Sequence, residues 1–273
     1  MHDQAVGLRR MERRRCNEAA GRTTAPLWVS HINALRYWGA SVPETITIRR
    51  DVVHVSVPKA SQRKKVQGVQ FHVFRGEPAL RKENWEQFWV FAPPAAWSQM
   101  APFCTAAQLA VIGASLLRRD KRDKVTTIDE ITRYIEANPT IRSHATCLEA
   151  IPLLVENTDS PKEADLFQLL VKGGLGRPQA NWRVDIPGSS RYRLIDLAYP
   201  ECKVGFEYQG YHHAEPDQMQ ADYLRQNQLT QKGWVILYVT ADHLETEESR
   251  RKFLETAQGI VSRQRALWSW FSA

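Results

Sequence analysis

Two short apolar runs in the third quarter of the chain each carry one carboxylate, and this limits what the sequence can build. In Leu194-Ile195-Asp196-Leu197-Ala198 the acid has apolar neighbours on both sides. There, an unpaired ionised group costs several kcal/mol or shifts its pKa. The next run, Val204-Gly205-Phe206-Glu207-Tyr208-Gln209, repeats the pattern. Strand alternation sets Glu207 and Gln209 on one face and Val204, Phe206 and Tyr208 on the other. His212 and His213 follow directly. Two acids at the ends of neighbouring strands, with a His pair past the turn, can hold a hard divalent cation. The competing explanation is a structural acid pair beside a surface His pair.

The remainder of the chain supplies context. With 273 residues, 43% of them hydrophobic, it can form one large domain or two modest ones. The formal charge of +7 favours acidic partners, nucleic acid above all. Cys16, Cys104, Cys147 and Cys202 lie far apart with no CxxC pair, which suggests neither a zinc ribbon nor a disulfide framework. No apolar run reaches the ~18 residues of a membrane span, and the N-terminus lacks the apolar stretch of a secretory signal. The expectation is a cytoplasmic protein with no membrane partner.

Residues 1–25, with Arg9, Arg10, Arg13, Arg14 and Arg15, read as a basic, disordered arm. Residues 26–155 read as a small α+β module. Ser30 caps a short helix that stops at Gly39. Thr45–Ile48, Val52–Val57 and Val69–Phe74 read as three strands, the first two joined by a tight turn at Arg50-Asp51. Lys59–Lys65 is a basic loop, suited either to DNA or to simple solubility. Ala107, Leu109, Ala110, Ile112, Leu116 and Leu117 give a broad apolar helical face. Thr127-Ile128-Asp129-Glu130 is a capping box opening another helix. No cluster of acids, His or Cys in this module suggests a site.

The second module, residues 157–273, opens on Ser160-Pro161-Lys162-Glu163, a capping box with proline at the first helical position. Gly173-Gly174 ends that helix, and Pro178–Ile186 reads as a strand leading into the acid-bearing pair. Asp185 reads as strand-end surface. Glu215–Lys232 is a polar helical stretch in which Asp222 and Arg225 are one turn apart. Trp234–Val239 is apolar throughout, as expected of a strand covered on both faces. A last helix starts near Thr246, with Phe253, Ala257, Ile260 and Val261 along one face. The order is that of an α/β sandwich.

Ser160-Pro161-Lys162-Glu163, Ile195-Asp196-Leu197-Ala198-Tyr199-Pro200, Phe206-Glu207-Tyr208-Gln209-Gly210-Tyr211-His212-His213, Asp222…Arg225…Asn227 and Gly233-Trp234 together resemble the DUF559 group. These are very-short-patch-repair-like endonucleases of the PD-(D/E)XK nuclease superfamily, and the likeness covers roughly residues 157–243. It implies an α/β fold with a C-terminal restriction-endonuclease-like mixed sheet flanked by helices. The front half resembles, more by pattern than by motif, the AbiEi family of antitoxins.

The resemblance implies that Asp196 and Glu207 bind Mg²⁺ or Mn²⁺, that Glu163 completes the metal site, and that His212 or His213 assists proton transfer. Asp222 and Arg225 would support the site. The implied activity is endonucleolytic hydrolysis of DNA, in repair, defence or a toxin–antitoxin context, alone or with a partner protein. Two departures bear on it. Gln209 stands where the motif has lysine and cannot relay a proton, and the structural zinc of very-short-patch-repair enzymes has no evident ligand set here. The alternative is a non-catalytic, DNA-binding or antitoxin-like regulator that retains the nuclease fold.

Overall fold

In the computed structural model, which describes residues 2–186, 192–209, 224 and 226–271, the basic N-terminal run is helix rather than a disordered arm. Helix α1 spans His2–Ala20 and buries Ala5, Glu12, Cys16, Ala19 and Ala20. That narrow face of small residues recurs at helical spacing and is masked in the sequence by the arginines between. Those arginines tie the helix down. Arg9 pairs with Asp123 at 3.2 Å, Arg13 with Glu86 at 3.4 Å, and the Arg15 guanidinium donates to the Arg50 carbonyl at 2.8 Å. At the centre of the same face, the Asn33 amide donates to the Glu12 carboxylate at 2.5 Å. Burial pushes the Glu12 carboxyl up in pKa, and the Asn33 bond partly offsets this.

The chain divides into two compact units, Met1–Pro161 and Lys162–Ala273. In the first, β1 (Trp28–Val29), α2 (His31–Tyr37), β2 (Val53–Val57), β3 (Val69–Val73), β4 (Leu80–Arg81) and β5 (Trp89–Phe91) follow α1. Helices α3 (Pro93–Ser98), α4 (Ala106–Ala114), α5 (Ile128–Glu136) and α6 (His144–Ala150) complete it. The five strands form one mixed sheet in the order β3-β2-β1-β5-β4. Its core joins Cys16 and Ala19 of α1 to Val29, Leu35, Val55, Trp97 and Leu109. Thr105 and Gln108 cap α4 reciprocally, as Thr127 and Glu130 cap α5.

The expected strand at Thr45–Ile48 is absent, and so is the hairpin at Arg50-Asp51. Strand β2 instead pairs antiparallel with β1 and parallel with β3, in register from Val53↔Val69 to Val57↔Val73. A parallel neighbour needs a long crossover, so no tight turn marks this pairing in the sequence.

The second unit runs α7 (Pro161–Lys172), β6 (Gln179–Asp185), β7 (Tyr192–Tyr199), β8 (Val204–Tyr208), helical residues 226–231 (α8), β9 (Val235–Val239), α9 (Ala241–Glu245) and α10 (Glu247–Phe271). Its sheet has the order β6-β7-β8-β9, with the first three strands antiparallel and β9 parallel to β8. Phe206 packs edge-on against Tyr199 and against Phe253 of α10, each at 6.1 Å between ring centres. Contrary to the sequence expectation, β9 is not covered on both faces. It ends the sheet, and Val235, Ile236, Leu237 and Tyr238 are half-buried. Asp185 is exposed and pairs with Arg183 at 2.7 Å.

All four cysteines are free thiols; Cys16, Cys147 and Cys202 are buried and Cys104 is half-buried. Among the described residues, no helix is long and apolar enough to cross a membrane.

Candidate active site

Strands β7 and β8 carry the two anomalous acids to one end of their ladder. The antiparallel register runs Tyr199↔Val204, Ala198↔Gly205, Leu197↔Phe206 and then stops. One further step would set Asp196 opposite Glu207. At that point the Asp196 side chain replaces the backbone ladder, its Oδ2 accepting the Tyr208 N–H at 2.9 Å. A carboxylate that accepts a backbone N–H at the end of a ladder is fixed in position and favoured in its charged form.

Glu207 lies deeper, 7% exposed, and registers with Tyr238 of the parallel strand β9. The Gln209 N–H continues that pairing to the Val239 carbonyl at 2.7 Å, while its side chain is exposed at the strand end. Gly205 keeps the strands close. A Cβ there would lie 2.6 Å from Ile195 Cγ2 and 2.7 Å from Ile236 Cδ1, so the neighbouring strands' side chains meet over it.

Glu163 is buried in the first turn of α7. The structure does not gather Glu163, Asp196 and Glu207 into one group whose ligand oxygens all lie within 4.8 Å of one another. The acids brought to neighbouring positions are Asp196 and Glu207. His212, His213, Asp222 and Arg225 lie outside the described residues. Two hard carboxylates at one strand end suit Mg²⁺ or Mn²⁺, because such ions bind through one or two carboxylates and fill the other positions with water and phosphate oxygens. Sequence reasoning missed the Tyr208 N–H, which belongs to the backbone and has no signature in residue type.

The first unit contains two clusters where none was expected. His2, Asp120 and Asp123 have ligand atoms within 4.8 Å of one another. Arginines already oppose these acids, and His2 hydrogen-bonds to one of them. Asp123 meets His2 at 3.0 Å and Arg9 at 3.2 Å, and Arg122 meets Asp120 at 2.6 Å. We read this cluster as the ion-pair network that anchors α1. The second cluster is three imidazoles, His31, His54 and His72, from three separate elements. The His31 and His72 rings lie tilted with centres 4.0 Å apart, His54 and His72 stack at 5.0 Å, and His54 Nδ1 is 2.7 Å from His72 Nε2. No spacing motif announces them, since the sheet register assembles them.

No protein-family model and no solved structure matches this chain. Two uncharacterized proteins of Mycobacterium tuberculosis are similar to it, MT2308 of strain CDC 1551 / Oshkosh and Rv2248 of strain ATCC 25618 / H37Rv. Each is 26% identical over 103 residues, which is 37% of this chain and 38% of the relative. The match thus spans well under half of either relative.

Proposed function

We propose that the second unit is a metal-dependent DNA endonuclease domain of the very-short-patch-repair-like kind, with a restriction-endonuclease-like sheet. The observation that carries the reading is the Asp196 carboxylate fixed on the Tyr208 N–H at 2.9 Å, beside the buried Glu207, where two strands part. The order helix, three antiparallel strands, helical segment and parallel strand also supports it.

Asp196 and Glu207 would hold Mg²⁺ or Mn²⁺, which when bound supplies Lewis-acid polarisation of a phosphate and a more acidic water. The Tyr208 N–H orients Asp196. Gln209 neither donates charge nor takes a proton, so proton transfer falls to His212 or His213. Glu163, Asp222 and Arg225 are assigned supporting roles.

Purified chain incubated with supercoiled plasmid should nick it in Mg²⁺ or Mn²⁺, and EDTA should stop the reaction. Asp196→Asn and Glu207→Gln should each lower the rate by about a hundredfold or more, because several kcal/mol of charge stabilisation rest on the metal. Both variants should keep the parent melting temperature. Undiminished cleavage by either would overturn the assignment.

Gln209 favours a second reading, in which the fold binds DNA or regulates a partner protein without turnover. That reading gives salt-sensitive mobility shifts with no nicking in any metal.

A further inference from the structure

The imidazole cluster opens into a cleft of about 780 Å³ in the first unit, within the usual range for small-ligand pockets. Its wall carries Lys59 and Arg63 from the segment after β2, Arg75 from just after β3, and Arg142 from between α5 and α6. All four are exposed, and no carboxylate lines the cleft among the described residues. Several arginines elsewhere in the chain are matched to acids, as in Arg49–Asp51, Arg119–Asp159, Arg122–Asp120 and Arg251–Glu255. Among the described residues, none of the four cleft cations forms such a pair. Cations lining one cleft with no counter-charge attract an anion.

The bonding of the inner wall fixes its hydrogen positions. The Arg49 carbonyl can only accept, so His54 Nε2, 2.7 Å away, must donate to it. A neutral His54 then offers Nδ1 as a lone pair, and His72 Nε2–H donates to it. His72 Nδ1 is left with its lone pair, and gains an N–H when the ring is protonated. His31 completes the wall in a strained conformation, φ +54°, in the left-handed region. Its ring nitrogen Nδ1 is 2.8 Å from Ser30 Oγ, and its backbone N–H donates to Gln99 Oε1 at 3.1 Å.

A metal ion does not suit this arrangement. Two of the rings spend a nitrogen on each other, the three nitrogens do not lie within 4.8 Å of one another, and the nearby formal charges are positive.

We propose that this cleft binds a phosphate group, gripped by Arg63, Arg75 and Arg142. Guanidinium forks match phosphate oxygens in pairs, which a halide or a lone carboxylate uses less fully. Phe103 and Ile141 line the remaining wall and offer an apolar surface to whatever carries the phosphate. The carrier is a mononucleotide or the phosphorylated end of a DNA strand. The site is independent of the carboxylate pair in the second unit.

The test is calorimetric titration of the full chain in EDTA. The probes are inorganic phosphate, adenosine monophosphate, and one short single-stranded oligonucleotide with and without a 5′-phosphate. At least one phosphorylated probe should bind saturably. The double variant Arg63→Ala/Arg142→Ala should weaken that binding about tenfold or more, since each lost fork removes charged hydrogen bonds. Both side chains are exposed, so the near-ultraviolet circular dichroism should be unchanged. Arg63→Lys/Arg142→Lys, which keeps the charge, should lose less. Tight binding of the monophosphate identifies a free nucleotide. A preference for the phosphorylated over the unphosphorylated strand, without monophosphate binding, identifies a strand end. If no probe binds, or if the alanine variant binds as the parent does, the proposal fails.

Discussion

On the proposed endonuclease reading, Gln209 is the residue on which turnover depends. It sits exposed at the end of β8, one position beyond the Tyr208 N–H that holds Asp196. A lysine there would bring a positive charge and a titratable amine to the same strand end. Gln209→Lys should therefore raise Mg²⁺-dependent nicking about tenfold, a modest share of what a positioned acid–base group gives. An unchanged rate would mean that the histidines or bound water already suffice.

The buried imidazoles make a separate case at the same scale. Burial depresses His31, His54 and His72, and the mutual repulsion of the rings adds to this for His31 and His72. His72 falls from 6.5 to about 4, with Arg63 and Arg142 pushing the same way. A group with a lowered folded pKa binds fewer protons when folded than when unfolded. Stability is therefore intact above about pH 6.5 and is lost as the pH falls toward about 4, by up to ~1.4 kcal/mol per pH unit for each fully titrating ring. Denaturant melts of the parent and of His72→Gln across that window should show a shallower loss in the variant.

The acids were legible at this scale because each breaks an apolar run. The histidines were not, since positions 31, 54 and 72 follow no period; the parallel β2–β3 register brings His54 near His72, and α2 supplies His31.

Among the elements, α1 departs most from its sequence appearance. Five arginines within seven residues suggest a solvated arm, yet Cys16 and Ala19 are buried in the core, and Glu12 is buried beside them. Deleting residues 2–20 should lower the stability of the first unit by ~2 kcal/mol or more, from lost apolar burial alone. An unaltered melting curve would show the helix to be dispensable.

Strand β8 gives the opposite lesson, because the run Val204–Gln209 read as a strand and Val204–Tyr208 forms one. Gly205→Ala would press a methyl onto Ile195 and Ile236. Overpacking of this kind costs ~1–3 kcal/mol. Thermal melts should register the loss, and metal-dependent activity should fall with it because β8 carries Glu207. Helix α5 was readable from its capping box at Thr127 and Glu130, whereas α4 was read from its apolar face and its cap at Thr105 was missed. Strands as short as β1 and β4, two residues each, carry no period to read.

At the scale of the whole chain, the proposed DNA binding would draw on the net charge of +7. Lysines and arginines that meet phosphates release counterions, so affinity should fall steeply and log-linearly with salt. Filter binding between low and physiological salt should give a clearly negative slope. Arg63→Ala/Arg142→Ala should flatten that slope only if the strand itself enters the first unit's cleft. Asp196→Asn should leave the slope unaltered, since it changes no cation. The second unit starts at Lys162, next to the Ser160 capping box at which the sequence opens its second module. The mixed sheet of the first unit was not, because its parallel pairing joins segments with no turn between them.

The buried thiols offer a built-in clock. Burial pushes Cys147 up to about 12 and raises Cys16 and Cys202 as well, so none presents a reactive thiolate at neutral pH. A maleimide added to the native chain must wait for local opening before it can label these positions. Mass spectrometry of the labelled peptides would then time that breathing separately, through Cys16 and Cys147 for one unit and Cys202 for the other, without engineered probes.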